Sequence, residues 1–420
     1  MANFIMAEAN GRTISGDDKI FGINKLAQEM AAKIGKENVI NSTIGSLLDD
    51  DGNLLVLPTV VEILRSLKPV EYADYAPIAG VPSYLEAAKK AAFGDHAPEG
   101  FIEAIATPGG TGAIRNTIEN YSKRFDKILT SDWYWSPYAT ITGELERSIE
   151  TYTMFDHTGN FYISSLAQKF DEILKVQDSL VMILNAPAHN PTGFSPSLSD
   201  WDNIVSLIKE KSKKHGKKII LFVDIAYIDF AGDRSKCREF IPKLSNMPEN
   251  VLVIFGFSMS KGYTLYGMRS GAMICLTCSK EIADEFKMVG MFSNRGTWSN
   301  GTRPAMLVLS KIFEDESLLI KVNEERKVFA QILESRGKAF IKTAKANGLK
   351  TLPFDSGFFI TVPCDNAEEI SKVLQADAIY TVPIGKGIRV AISAINETSG
   401  IKVAVKLAEA IKKLSCKCEN

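Results

Sequence analysis

Short apolar runs alternate with amphipathic stretches between about residues 100 and 310. The runs at 180–184, 219–223 and 251–257 have the length and apolar content of buried strands, whereas 198–215 has the spacing of a helix. This alternation predicts βαβ units and a mostly parallel sheet covered by helices, which is an α/β fold. Open sheets of this kind bind ligands beyond the carboxyl ends of their strands, so the residues that follow these runs are the candidates for chemistry.

Beyond residue 304 the pattern changes. A long amphipathic stretch is followed by two strand-like runs and a closing helical segment, at 305–341, 358–362, 387–393 and 400–413. We expect a smaller α+β domain here. A chain of 420 residues, 45% of them hydrophobic, is long enough for two domains, which we place at 46–330 (large) and at 1–45 with 331–420 (small).

Charge and cysteine content narrow the class of protein. The 49 basic and 50 acidic residues are interspersed, which disfavours a nucleic acid or a membrane surface as partner. We find no apolar run as long as a signal peptide or a membrane span, and six irregularly spaced cysteines agree with a reducing compartment. We therefore expect a cytoplasmic protein, in which the C-x-x-C pair Cys275 and Cys278 consists of packing residues.

Lys261 directly follows the run at 251–257 and lies in the segment 258–271, SMSKGYTLYGMRSG. Lysine is rarely buried unless it is paired, and this one is surrounded by Ser258, Ser260 and Arg269. These are the surroundings of a Schiff-base lysine with a phosphate nearby, which points to pyridoxal phosphate. The alternative is a surface lysine at a strand exit.

Two further strand-like runs end in polar residues. After 180–184, a Pro-Thr-Gly turn would hold the Asn190 amide rigidly enough to hydrogen-bond a ring oxygen, or would be an ordinary turn. Asp224 ends the next run, where a buried acid needs a positive partner such as a protonated pyridine nitrogen, unless it caps a helix. Tyr227, three residues later, could reach the phenolic oxygen of the same ring.

Two segments are suited to anions. The glycine-rich stretch 107–115, which includes Thr111, opens a helix whose N–H groups and dipole would bind a phosphate. It is neither a P-loop nor G-x-G-x-x-G, which disfavours a nucleotide. Arg389 lies in an apolar run, where an arginine is costly unless it meets a substrate carboxylate or an internal acid.

Together these segments resemble the aspartate and aromatic aminotransferase branch of the fold-type I pyridoxal-phosphate enzymes. The family pattern S-x-S-K-x-x-x-L-Y-x-x-R-x-G is matched from Ser258 to Gly271, N-P-T-G from Asn190, and D-x-A-Y from Asp224. The similarity covers roughly residues 40 to 395. It implies a transaminase that uses pyridoxal 5'-phosphate to move an amino group between an amino acid and a 2-oxo acid such as 2-oxoglutarate.

The resemblance also implies the roles of matched residues. Lys261 would hold the cofactor and move the proton as general base and acid, while Asp224 would support the pyridine nitrogen. Asn190 and Tyr227 would bond the ring oxygen. The remaining cofactor contacts would come from Ser258, Arg269, Gly110, Thr111, Trp135 (favoured over Trp133 for stacking, with a core aromatic as the alternative) and Tyr75 of a neighbouring subunit.

On the substrate side, Arg389 would bind the α-carboxylate, and Gly45 lies in a segment that looks like the family's substrate loop. Arg295, in RGTWSN at 295–300, would cross to the neighbouring subunit and pair with a side-chain carboxylate, or would be a solvated or interface residue. We therefore expect a homodimer with shared active sites that accepts aspartate, glutamate and their keto acids, with aromatic substrates as a second class.

Two residues depart from the family pattern, and other functions stay open. Gly109 replaces a serine that would add a hydroxyl to the phosphate, and Tyr138 replaces a histidine behind the ring. A β-decarboxylase or a carbon–sulfur lyase uses the same fold and cofactor. A pyridoxal-phosphate-responsive transcription regulator would need a DNA-binding domain, and a cofactor-free scaffold would not need the Lys261, Asp224 and Arg389 set.

Overall fold

The structure, a computed structural model, describes residues 4–12 and 18–415, which divide into two compact units. The first unit contains residues 4–12, Val56–Pro187 and Pro196–Arg326, and the second contains 18–55, Ala188–Ser195 and 327–415. Residues 46–55 and Ala188–Ser195 thus group with the second unit, although both lie in the predicted range 46–330. The predicted domain limits stay a prediction.

The described residues contain twelve strands: β1 Ile40–Asn41, β2 Phe101–Thr107, β3 Lys127–Ser131, β4 Ser148–Tyr152, β5 Ser179–Asn185, β6 Lys218–Asp224, β7 Val251–Ser258, β8 Gly271–Thr277, β9 Phe359–Pro363, β10 Ile379–Tyr380, β11 Val382–Pro383 and β12 Gly387–Ala391.

The α-helices of the same residues number fourteen: α1 Lys19–Ile34, α2 Pro58–Ser66, α3 Pro69–Ala73, α4 Pro82–Phe93, α5 Gly109–Tyr121, α6 Pro137–Glu144, α7 Ile163–Val176, α8 Leu198–His215, α9 Met259–Gly262, α10 Lys280–Thr297, α11 Arg303–Glu314, α12 Glu316–Ala346, α13 Ala367–Ala376 and α14 Glu397–Ser415. None of these helices has a long enough apolar stretch to cross a membrane.

The first unit is built on a seven-stranded mixed sheet in the order β2-β8-β7-β6-β5-β3-β4. Strands β7, β6, β5, β3 and β4 run parallel, and β8 is antiparallel to both β7 and β2. The carboxyl ends of β5, β6 and β7 lie side by side, with Asn185 opposite Asp224 and Asp224 opposite Gly256. The predicted α/β fold is confirmed, and its polar strand ends share one edge of the sheet.

One core of the first unit lies between this sheet and helices α5 and α10. Ala113 and Ile118 of α5 and Phe286 of α10 pack on apolar side chains from the strands. Cys275 of β8 belongs to this core, and burial raises the pKa of its thiol to about 12, so it is a packing residue as predicted. Cys278 is exposed, so the predicted packing role is wrong for that residue. The reason is that β8 ends at Thr277, and Cys278 therefore lies beyond the buried strand.

The second unit contains an antiparallel sheet in the order β11-β12-β9 and a separate parallel pair, β1 and β10. Its core is formed by these strands with α12, α13 and α14. The long amphipathic stretch at 305–341 forms two helices, α11 and α12, instead of one. Asp315 separates them because its carboxylate accepts a hydrogen bond from the N–H of Ser317 at 2.8 Å in the first turn of α12.

Candidate active site

Asp224, the last residue of β6, is a buried carboxylate held by neutral donors. The Tyr138 hydroxyl donates to its Oδ2 at 2.7 Å, and the N–H of Ala226 donates to its Oδ1 at 3.1 Å. The neighbouring strand adds the Asn185 amide, which donates to the Asp224 carbonyl at 2.9 Å. The local role is therefore not a cap at the start of a helix, which was the alternative prediction.

Burial raises the pKa of Asp224, and the hydrogen bonds from Tyr138 and Ala226 only partly offset that effect. A cation placed beside a buried, ionised carboxylate would stabilise its negative charge. The protonated nitrogen of a pyridine ring is such a cation, so a buried carboxylate with only neutral hydrogen-bond donors fits pyridoxal phosphate.

Lys261 lies in a single helical turn, α9, directly after β7. Ser258 caps this turn, because its hydroxyl accepts a hydrogen bond from the N–H of Ser260 at 3.3 Å. The Lys261 Nζ lies 5.7 Å from the centroid of the Tyr227 ring and 4.8 Å from that of the Tyr266 ring. The amine thus faces two aromatic rings, one of them on the segment that begins at Asp224. Tyr266 was not predicted as a site residue, although it is the tyrosine of the matched pattern.

The glycine-rich turn brings the start of α5 against Arg269. Gly109 has φ +67°, and a Cβ at this position would lie 2.7 Å from the Arg269 Nη2. The Arg269 Nη1 donates to the Ser260 hydroxyl at 3.1 Å and to the Tyr266 carbonyl at 3.0 Å. A Cβ on Gly110 would lie 3.6 Å from that of Ser258, so Ser258 and Arg269 both lie close to the first turn of α5, which contains Gly110 and Thr111. Helix N–H groups beside a guanidinium fit a phosphate.

These distances also explain one departure from the family pattern. A serine at Gly109 would need an unfavourable backbone conformation and would press its Cβ against Arg269. Glycine therefore lets the arginine approach the helix closely.

The second departure, Tyr138, lies in an aromatic cluster at the start of α6. The Trp135 ring contacts the Tyr138 ring edge to face, with centroids 5.6 Å apart. Trp135 is half-buried and packs against the core of the first unit, while Trp133 is buried. The choice of Trp135 over Trp133 as the stacking residue stays a prediction.

The second unit brings Arg389, Asn190 and Gly45 together. Arg389, 3% exposed in β12, donates from Nη2 to the Thr43 carbonyl at 2.7 Å and from Nη1 to the Asn190 Oδ1 at 3.4 Å. Its guanidinium carbon lies 4.4 Å from the centroid of the Phe359 ring, against which Gly45 also packs. Phe359 was not predicted, and its only sequence signal was its place in a strand.

The Asn190 turn is fixed by its own hydrogen bonds. The Gly193 N–H donates to the His189 carbonyl at 2.6 Å, and the Thr361 hydroxyl donates to the Pro191 carbonyl at 2.8 Å. The His189 Nδ1 lies 2.9 Å from the Thr192 hydroxyl. The turn is therefore rigid, as its Pro-Thr-Gly sequence predicts.

Tyr75 and Arg295 lie on the surface of the first unit. Tyr75 is 81% exposed, and its backbone carbonyl accepts a hydrogen bond from the Arg303 Nη1 at 2.6 Å. Arg295, near the end of α10, is exposed and donates to the Ser299 hydroxyl at 2.7 Å.

Comparison with known proteins identifies the family of the chain. Residues 37–406 match the family described as aminotransferase class I and II. The chain belongs to this family. Membership confirms the predicted fold-type I architecture, pyridoxal-phosphate cofactor and transaminase class.

Individual relatives agree with the family. An aminotransferase from Anaerococcus prevotii is 39% identical, with a TM-score of 0.95, and the match covers 97% of this chain and 100% of that one. A mitochondrial aspartate aminotransferase from Trypanosoma brucei is 25% identical, with a TM-score of 0.76 over 91% of this chain and 99% of that one. The mitochondrial aspartate aminotransferase of Schizosaccharomyces pombe is 28% identical over 70% of this chain and 66% of its own length. The chain thus spans about two thirds of the length of that curated relative.

Proposed function

We propose that the protein transfers the amino group of aspartate, glutamate or an aromatic amino acid to a 2-oxo acid such as 2-oxoglutarate. The observation that carries this proposal is that Lys261 and Asp224 lie at the carboxyl ends of neighbouring strands. Asp224 is the last residue of β6, and Lys261 follows β7, which is the adjacent parallel strand, at one edge of the sheet. Relatives named aspartate aminotransferase support the dicarboxylic substrates.

When bound, pyridoxal phosphate supplies a ring that accepts the electron pair released at the Cα of the amino acid. Asp224 would hold its negative charge at the ring nitrogen, and Tyr138 would keep the carboxylate oriented. The Lys261 Nζ would accept the Cα proton as a base and give it back as an acid. Tyr227 and Asn190 would donate hydrogen bonds to the ring oxygen, with Trp135 stacked on the ring.

The phosphate would be bound by the first turn of α5, at Gly110 and Thr111, together with Ser258 and Arg269. Backbone N–H groups, hydroxyls and a guanidinium form charge-assisted hydrogen bonds to a phosphate. Because Arg269 is already held by the Ser260 hydroxyl and the Tyr266 carbonyl, it would lose little side-chain entropy on binding.

Arg389 would bind the α-carboxylate of the substrate beside Gly45. Its guanidinium is buried and oriented by the Thr43 carbonyl and the Phe359 ring, which favours a bidentate pair with a carboxylate. Arg295 would pair with the side-chain carboxylate of a substrate bound to the neighbouring subunit.

This last role requires a homodimer with shared active sites, which we include in the proposal. Helix α10 exposes Met288 (66%) and Phe292 (84%), one turn apart, on the face near Arg295. Large apolar side chains of this kind on a surface are typical of an interface, and Tyr75 is exposed as well. A second subunit would cover these side chains and receive Arg295 and Tyr75 in its own site.

We further propose that the protein is cytoplasmic. In support, the cysteines within the described residues (Cys237, Cys275, Cys278 and Cys364) are free thiols, as is usual in a reducing compartment. Because curated relatives include mitochondrial enzymes, cell fractionation followed by immunoblotting is the appropriate measurement.

Product analysis tests the proposed reaction. Purified protein loaded with pyridoxal phosphate is incubated with aspartate and 2-oxoglutarate, and we expect equal amounts of oxaloacetate and glutamate. Alanine and carbon dioxide formed from aspartate without an acceptor would instead indicate the β-decarboxylase. In a separate incubation with a β-thio amino acid, release of a thiol, pyruvate and ammonia would indicate the lyase. A panel that adds glutamate, phenylalanine and tyrosine defines the donor range, and no transfer from any of them would contradict the proposal.

A further inference from the structure

A buried carboxylate that the reaction does not use lies close to Lys261. Asp229, in the short helical turn Ile228–Phe230, has a side chain that is 6% exposed. Its Oδ1 lies 2.7 Å from the Arg238 Nη2 and 3.1 Å from the Arg326 Nη1. Burial raises the pKa of Asp229, but Arg326 and Arg238 outweigh that effect and hold the pKa below its usual value. The carboxylate is therefore ionised at neutral pH and is shared by two arginines.

Arg326 links this carboxylate to the turn that carries Lys261. Its Nε donates to the carbonyl of Gly262, the residue after Lys261, at 2.9 Å. Its guanidinium carbon also lies 4.7 Å from the centroid of the Tyr263 ring. Asp229 itself packs directly against Gly262, because a Cβ at that position would overlap with its Oδ2. The backbone beside Lys261 is thus held by a hydrogen bond and by close packing.

Arg238 fixes the other side of the network. It donates to the carbonyls of Ala91 and Ala92 at the end of α4, at 3.0 and 3.1 Å. Asp229 also lies only five residues after Asp224. One buried ion cluster therefore connects α4, the segment of Asp224 and Tyr227, and the turn of Lys261.

We propose that Asp229 is a positioning residue that, through Arg326 and Gly262, holds the Lys261 amine in place relative to Asp224 and Tyr227. This inference rests on the proposed function of Lys261. Buried ion pairs contribute little net stability, so their value here lies in fixing a geometry. Misplacement of a catalytic group by about 1 Å can cost roughly a hundredfold in rate.

Electrostatics alone would give a different pattern of effects. Asp229→Asn removes a negative charge near the lysine, whereas Arg326→Met removes a positive one, so a purely electrostatic role shifts the pKa of the lysine–cofactor chromophore in opposite directions. A positioning role makes both substitutions lower kcat. Gly262→Ala disturbs the same contact without changing any charge, because the new methyl group displaces Asp229.

The test uses holoenzymes of the wild type and of Asp229→Asn, Arg326→Met, Arg326→Lys and Gly262→Ala. Visible circular dichroism of the bound cofactor reports how rigidly it is held, and pH titration of its absorbance, kcat, KM for aspartate and thermal unfolding are measured in parallel. Arg147→Met is the matched control, since Arg147 is also a buried arginine with an ion pair to Glu119 and a hydrogen bond to the Ser122 carbonyl.

We expect Asp229→Asn, Arg326→Met and Gly262→Ala to lose about half or more of the visible ellipticity and about tenfold or more in kcat, with KM changed less than about threefold. Arg326→Lys should keep more of the ellipticity and kcat than Arg326→Met does, and Arg147→Met should keep the wild-type ellipticity. Two results would overturn this inference while leaving the proposed function intact. One is folded variants with wild-type ellipticity and kcat, and the other is opposite effects of Asp229→Asn and Arg326→Met on kcat. A wild-type protein without a cofactor band would overturn both.

Discussion

Among single residues, Asp224 is expected to destabilise the cofactor-free protein when it is ionised and to strengthen binding of the cofactor. Its raised pKa means that stability present at low pH is lost as the pH rises through the folded-state pKa, because the ionised form is poorly solvated. The same carboxylate would gain a cationic partner in the proposed holoenzyme. Folding and function therefore make opposite demands on this residue.

Asp224→Asn should separate these two demands. The apoprotein should unfold a few degrees higher than the wild type at pH 8, and this gain should shrink as the pH falls through the folded-state pKa of Asp224. The dissociation constant for pyridoxal phosphate should rise roughly thirtyfold or more, because the ring nitrogen loses its counter-charge. Thermal unfolding across pH and a cofactor titration measure both effects. An apoprotein destabilised at every pH, with unchanged cofactor affinity, would show that Asp224 is structural.

Arg295 is the residue on which dicarboxylate recognition depends in this account. A charge-assisted bidentate pair in a closed site contributes roughly 2 to 4 kcal/mol, so Arg295→Ala should lower kcat/KM for aspartate by about thirtyfold to a thousandfold. The value for phenylalanine should stay near that of the wild type, since phenylalanine lacks the second carboxylate. Steady-state kinetics with both donors measure these values. Equal losses of kcat/KM for aspartate and phenylalanine would reject Arg295 as the partner of the distal carboxylate.

Among the secondary-structure elements, we expect phosphate binding to depend on how closely the start of α5 approaches Arg269. Gly109→Ala should displace the Arg269 guanidinium and weaken cofactor binding by about tenfold, which a titration of the apoprotein measures. Gly216→Ala is the matched control, because Gly216 has a similar φ of +62° but a Cβ there would meet nothing within 4 Å. The control should lose stability and keep its affinity; an equal loss of affinity in both variants would contradict the account.

Several elements were predictable from the sequence because their signals are local. Apolar runs ending in Asp224 and before Lys261 predicted β6 and β7, and the matched segments predicted which residues follow them. Contacts between distant segments carried no such signal. Phe359 meets Arg389 only through the pairing of β9 with β12, and Asp229 meets Arg326 across 97 residues. The grouping of Ala188–Ser195 with the second unit likewise depends on long-range packing.

On the scale of the whole molecule, the proposed dimer makes each active site depend on both chains. Mixing a Lys261→Ala protein with a Tyr75→Ala protein should produce hybrids in which one of two sites has both residues. Random exchange makes about half of the dimers hybrid, so activity should approach about a quarter of the wild-type value, well above the sum of the two variants alone. Sedimentation of the wild type provides the control, and a fully active monomer would refute shared sites.

The lysine to which the cofactor attaches covalently can be located directly, which tests the proposed role of Lys261. Holoprotein is reduced with borohydride, digested, and mapped by mass spectrometry, with Lys261→Ala as the control. We expect a pyridoxyl-phosphate mass on the peptide that contains Lys261 and none on the control protein. A modification at another lysine that persists in Lys261→Ala, or no modification of the wild type, would contradict the proposed role of Lys261.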